Sequence, residues 1–327
     1  MTDKPVIPRP PKVPPRRHEQ PLLRQISPAE LAEALKAHRR WLKNGPAGGS
    51  RLDLNSCDLT GVALQGALLS RAGLNRAVLS GALLSNAKLE RAELTGAELE
   101  GALLDRADLK GARVSGANLR RADLTATHAP YMDAEFADFS GARLDHVDLT
   151  GADLSGAIMA GANLTGARLS RANLRGADLR GARLTGADLR EAKLGAADLR
   201  GADLTGADLR RAYMRLARLD DANLAGADLS GAAWLSQAQL DRARVDEAAR
   251  LPEVRLRGRS GLPTISDGAA ALGAISQRRI PLNSDIRALR SPARLFSSIA
   301  LRYFPARSAR LPAIRAIWST ISMSSIF

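Results

Sequence analysis

The residues of this chain with the chemistry to act as ligands, acids, bases or nucleophiles are few: four histidines, one cysteine and a recurrent aspartate. His18, His38, His128 and His146 are scattered, and no pair stands at metal-ligand spacing beside Cys57 or a carboxylate. Asp178, Asp188, Asp198 and Asp208 recur because a short unit recurs, not because two carboxylates flank a scissile bond. The glycines fall at regular intervals rather than between a strand and a phosphate-binding helix. No catalytic, cofactor or metal site is expected, and an enzymatic role ranks last.

The elements that would have to position such groups point the same way. Aromatics are 3% of the 327 residues, so a core of large side chains is excluded. The single cysteine leaves no disulfide framework, which suits a reducing cytosol. No apolar run reaches the ~18 residues of a membrane span, and the N-terminus lacks the apolar stretch of a secretory signal. A cytoplasmic setting is the expectation.

The net charge of +14 divides unevenly. Residues 1–50 carry +6, residues 250–327 carry +10, and residues 51–249 carry −2. Basicity belongs to the two ends. Residues 1–26 hold seven prolines and read as an extended, disordered leader; the Pro8–Pro11 spacing would fit an SH3-type ligand on paper. Over 27–44 a helix is expected. Ser27, Pro28 and Glu30 form its capping signal, Leu31, Leu35, Trp41 and Leu42 give it an apolar face, and Gly45–Pro46 end it. So short an amphipathic helix needs something to lie against, and the nearest candidate is the array that follows.

From Leu52 the period becomes five. Counting from Leu54 to Trp234 there are 37 central positions, of which 30 are Leu; two residues earlier, 31 of 37 are Ala. GADLRGARLTGADLR (176–190) shows the unit. In a helix, five steps of ~100° rotate each Leu by ~140° from the last. In a strand an odd period sends successive Leu to opposite faces. The chain must therefore bend once per unit, with Ala and Leu pointing inward together and glycine easing the corners. The result is a solenoid whose coils bond to one another along the axis.

The unit A-(D/N)-L-x-x resembles the pentapeptide-repeat proteins over about 200 of the 327 residues. That resemblance implies an all-β solenoid: a right-handed quadrilateral β-helix of four units per coil, nearly ten coils here, with an N-terminal capping helix and a non-repeat C-terminal tail. At ~4.8 Å per coil the rod is roughly 45 Å long. The array spans 51–249, with two further units expected around Leu240 and Val245 after a one-residue insertion.

Four residues stand out as partner contacts. His128 and Tyr131 lie in the irregular stretch 125–139, read either as a recognition loop or kink, or as repeat decay with Met132 and Phe136 filling space. Decay is preferred. Leu83 and Leu103 are outward residues twenty apart, so they stack on one face that could take a partner, a second copy or the N-terminal segment. Leu68 and Val78 are further outward apolar residues. Trp234, where the phase slips, is expected to plug the final coils.

The tail, 250–327, has 13 Arg and no Lys. Leu311, Ile314, Ile317, Trp318 and Ile321 suit a basic membrane-surface helix; disorder, or a frame-slipped coding sequence, is the preferred alternative. The leading expectation is a non-enzymatic interaction or scaffolding rod for an unidentified protein partner, its oligomeric state open, a dimer included. The family resemblance also brings in mimicry of DNA toward a topoisomerase. A duplex carries about one negative charge per 1.7 Å, so a rod this long would need roughly 26. The array nets −2, with Arg71, Arg91, Arg171 and Arg211 at one corner, so mimicry is disfavoured. Nucleic acid is not expected as a specific ligand, and acidic membrane or nucleic-acid contact is left to the tails.

Overall fold

The computed structural model describes residues 23–252. The leader before residue 23 and almost all of the tail, with its membrane-helix and frame-slip readings, lie outside the described residues.

Helix α1 (Pro28–Asn44) starts where its caps dictate. The Ser27 hydroxyl accepts from the Glu30 N–H, and the Glu30 carboxylate accepts from the Ser27 N–H at 2.8 Å. Gly45 ends the helix with φ +70 and opens a short 3-10 turn, Gly45–Ala47. Leu31 is buried, and Ile26, Ala34 and Leu35 pack against the core of the array. The helix thus closes the first coil, as its apolar face required. Just before it, Arg24 pairs with the coil edge: its N–H donates to the Ser56 carbonyl at 2.9 Å and its carbonyl accepts from Asp58 at 3.0 Å. The last leader residues are therefore ordered, because an open edge offers them backbone partners.

From Asp53 to Ala233, parallel bridges join outward residues twenty apart, as in Asp108 to His128 to Asp148. Four five-residue units thus complete one coil. The bridges are isolated: among the described residues no strand is longer than its single bridged residue. The reason is visible in unit 176–180, where all five backbone N–H groups are used. Asp178 donates to the preceding coil at Ala157, and Gly176 and Leu179 to the following one at Gly195 and Asp198. Ala177 closes the turn on Leu174 at 3.2 Å, and the Arg180 N–H donates to the Asp178 carboxylate at 3.1 Å. No donor is left over.

The last bond explains why the outward middle position favours Asp or Asn. Its side chain holds the N–H two residues on, as Asp148 does for Thr150 and Asn223 for Ala225. At His128 that service is absent, and the residue two on is Pro130, which has no N–H to satisfy.

The first corner residue of each unit has positive φ. Gly181 takes this at φ +62 without strain, whereas Arg171 at φ +60 pays a cost of about 1 kcal/mol.

The interior is Ala and Leu at essentially zero exposure along the array. Stretch 125–139 keeps the twenty-residue bridges and forms neither loop nor kink. Its coil loses volume at Ala129 and Ala134 and regains it at Met132 and Phe139, all buried. Thr127, also buried, donates its hydroxyl to the Leu104 carbonyl at 2.7 Å. Repeat decay describes the stretch, with one exception: Phe136 fills no interior space and is 70% exposed.

The C-terminal end departs from expectation. Trp234 plugs nothing; it is 72% exposed at φ +63, and the inserted residue lets Leu235 pack against the core instead. No unit forms around Leu240. Helix α2 (Gln237–Leu240) stands there, capped by Ser236 and Gln239, with Leu240 buried. The Gln239 amide donates to the carbonyls of Met214 at 3.0 Å and Ala217 at 2.8 Å. It replaces the backbone donor the missing unit would have supplied. Beyond it, Arg244 bridges Asn223 and Arg250 bridges Asp228, so the Val245 unit exists and another follows around Leu251.

Candidate interaction surface

The bridge ladders define four sides. Side 1 carries Asp53, Gly73, Glu93, Arg113, Asp133, Asp153, Asn173, Lys193, Tyr213 and Ala233. Side 2 begins at Asp58, side 3 at Ala63 and side 4 at Leu68.

The four sequence candidates do not converge. Leu83 and Leu103 bridge each other on side 3, and Leu103 is 40% exposed. Val78 belongs to side 2 and Leu68 to side 4, so the early apolar residues are split among three sides. His128 sits on side 4, its Nδ1 3.4 Å from the Asp148 carboxylate. Burial alone would raise the Asp148 pKa, but hydrogen bonds from Thr150 and the nearby Arg168 hold it below the ordinary value. Tyr131 lies at the edge between sides 4 and 1, its ring lying where a Cβ on Gly151 of the next coil would stand.

On sides 2 and 4 four aspartates of the C-terminal half are matched to arginines two residues on. Asp178–Arg180, Asp188–Arg190, Asp198–Arg200 and Asp208–Arg210 are ion pairs of 2.5, 2.7, 2.6 and 2.6 Å. Hydrogen bonds from those arginines hold the Asp188 and Asp208 carboxyls below their usual range. A shallow open groove lined by Arg190, Glu191, Arg210, Arg211, Ser230 and Gly231 runs along the neighbouring edge. Four of its six lining residues are charged, and among the described residues no cluster of three potential metal ligands exists. No described helix is long and apolar enough to cross a membrane.

Two features escaped the sequence reading. His38 is fully buried between α1 and the first coil: its Nδ1 accepts from the Leu52 N–H at 3.0 Å, so Nε2 carries the proton toward the Ser70 carbonyl at 3.1 Å. The other is an exposed aromatic series on side 1. Sorting the array by its twenty-residue period would have exposed the aromatics; nothing local marks His38.

Coil, corner and closed interior together define a repeat solenoid. A family model for pentapeptide repeats matches in eight copies, over residues 53–91, 82–121, 117–156, 157–195 and 197–232. The chain belongs to the pentapeptide-repeat family. No relative is found among curated protein sequences. Among solved structures it is similar to HetL, a pentapeptide repeat protein involved in heterocyst differentiation regulation from the cyanobacterium Nostoc sp. strain PCC 7120. That match has 31% identity and a TM-score of 0.32, over 69% of this chain and 93% of that one. Full-length QnrB1, a plasmid-mediated fluoroquinolone resistance protein, matches at 18% identity over 70% and 99%, with a TM-score of 0.29. Rfr23 from the cyanobacterium Cyanothece 51142 matches at 25% over 44% and 90%, with a TM-score of 0.22.

Proposed function

We propose that the chain is a non-enzymatic scaffold that holds another protein on the outside of its rod. The observation that carries this reading is the interior: Ala and Leu fill it along the array, so recognition falls to the outer sides. The winding is taken as right-handed, in nearly ten coils, as the family implies. The partner is assigned to side 3, where Leu83 and Leu103 offer adjacent apolar contacts, with His128 on the neighbouring side. A cytoplasmic setting without cofactors accords with the lone thiol Cys57, which is buried and whose pKa burial pushes up.

Duplex mimicry is disfavoured by the same surface. Asp178, Asp188, Asp198 and Asp208 are each matched by an arginine at short distance, so this part of the rod projects the field of dipoles rather than of a line of charge.

The test is affinity capture of the full-length chain from its native host, beside a Leu83→Asp/Leu103→Asp variant. A protein retained by the parent and lost from the variant supports the reading. Equal capture by both moves the partner off side 3, and capture of nothing by either removes the scaffold role.

A further inference from the structure

Among the described residues, every exposed Phe, Tyr or Trp of the array stands on side 1 or its edges. Tyr131, Phe136, Tyr213 and Trp234 are 66, 70, 49 and 72% exposed. The remaining array aromatic, Phe139, is buried inside.

The charges of side 1 are ordered about Asn173. One coil toward the N-terminus stands Asp153, and one coil the other way Lys193. Two coils toward the N-terminus are Asp133 with Tyr131, Glu135 and Phe136 at its edges. Two coils the other way are Tyr213 with Arg211, Arg215 and Leu216 at the same edges. Three coils away lie Arg113 on one hand and Ala233–Trp234 on the other. Asp153 and Lys193, Glu135 and Arg215, Phe136 and Leu216, and Tyr131 and Arg211 stand as complements at mirrored distances. Among the described residues Arg175, Lys193, Arg211, Arg215 and Glu135 form no ion pair within the chain.

We propose that side 1 is a self-association surface on which two copies of this chain pack antiparallel, about a twofold axis passing beside Asn173. Rotation about an axis lying in the contact plane, across the rod, reverses the coil order and keeps each edge over its own edge. Asp153 then meets Lys193 of the second copy, Glu135 meets Arg215, and Phe136 meets Leu216. Tyr131 offers its ring to Arg211, and Trp234 its ring to Arg113. The symmetry supplies every contact twice, which is the property of an isologous interface.

A parallel arrangement would set Asp153 against Asp153 and Lys193 against Lys193. Side 2 lacks the pattern, since Asp58, Glu98, Asp138, Asp178 and Asp198 make it mostly acidic. The cost of the antiparallel register is at its centre, where Arg171 and Arg175 meet their own copies. Arg171 is neutralised in its own chain by Glu191 at 3.0 Å, and Arg175 stands at an edge where its long stem can turn outward.

The footprint is six coil steps long, about 29 Å, and about 13 Å wide at strand dimensions. Both copies together cover about 800 Å², below the range of permanent complexes. The dimer is therefore reversible, and its exposed pairs make it sensitive to salt.

Sedimentation velocity of the full-length chain over a concentration series, at low and at high salt, reads this directly. The expected result is a dimer fraction that rises with concentration and falls with salt. Glu135→Arg and Arg215→Glu each place like charges together at two symmetric points, and each should weaken dimerisation about tenfold or more. Mixed in equal amounts the two variants should dimerise again. In the heterodimer alone, one chain is cationic at both positions and the other anionic at both, so each symmetric point again pairs opposite charges. Both positions are exposed corners, and a circular dichroism spectrum matching the parent establishes that each variant folds. A parent that stays monomeric, single variants that dimerise like the parent, or a mixture that stays monomeric would each overturn the proposal.

Discussion

The Leu52 N–H donates to Nδ1 of His38 at 3.0 Å, so one histidine ring joins the capping helix to the first coil of the array. The ring is buried, stacked on Trp41 at 5.5 Å, and its second nitrogen faces the Ser70 carbonyl. Burial depresses its pKa from 6.5, against the smaller opposing effect of the Ser70 bond. A depressed histidine pKa stabilises the docked state fully above the undocked value and progressively less as pH falls below it. Protonation also removes the lone pair that Leu52 uses. The protection factor of the Leu52 amide, its exchange rate relative to that of the unfolded chain at the same pH, should fall below about pH 6.5, and His38→Gln should abolish that pH dependence.

Phe139 carries volume that its coil lost elsewhere. Phe139→Ala should destabilise the array by about 3–5 kcal/mol, since the surrounding Ala positions cannot collapse into the space. Leu103→Ala, at a position 40% exposed, should cost far less. Urea unfolding followed by circular dichroism separates the two.

Gly156 and Gly176 share one edge column and nearly one conformation, φ +65 at each. A Cβ at Gly176 meets nothing within 4 Å, whereas at Gly156 it would come within 2.5 Å of the Phe136 ring. Gly176→Ala should cost about 1 kcal/mol for its backbone alone. Gly156→Ala should cost more, and the excess should vanish when Phe136 is also replaced by Ala. A double-mutant cycle on thermal unfolding measures that difference.

Gln239 performs two tasks that can be separated. Its oxygen accepts from the Ser236 N–H at 2.8 Å, and its nitrogen supplies the Met214 and Ala217 carbonyls. Gln239→Glu retains the acceptor and loses both donors. The expected loss is about 1–2 kcal/mol, localised at the C-terminal end. Exchange at the Arg244 amide, which donates to Ala222, should rise while exchange at Asp108 does not.

The sequence made legible whatever depends on local rules. Ser27, Pro28 and Glu30 mark a helix start by backbone chemistry that acts within four residues, and the structure places it there. The coil follows from a period that admits one way of bending. Trp234 defies the pattern because a one-residue insertion leaves two large side chains, Trp234 and Leu235, competing for one inward position, and packing decides between them. His38 carries no sequence signal because its partners, Leu52 and Ser70, are 14 and 32 residues away and are backbone groups, which leave no mark in a residue pattern. No local pattern connects Tyr131 and Tyr213, because eighty-two positions separate them. Only the closed coil brings them to one side.

That closure also constrains how genes for such a rod can change length. Because bridges link residues twenty apart, gain or loss of twenty codons-worth of chain lengthens or shortens the rod and leaves every later residue on its own side. Gain or loss of a single five-residue unit keeps Ala and Leu inward yet turns everything beyond it by a quarter revolution. Stability would scarcely register the event, while Lys193 and Asp153 would cease to share a side. Length drift in multiples of five is tolerated by the core; only multiples of twenty are tolerated by a surface with something to recognise.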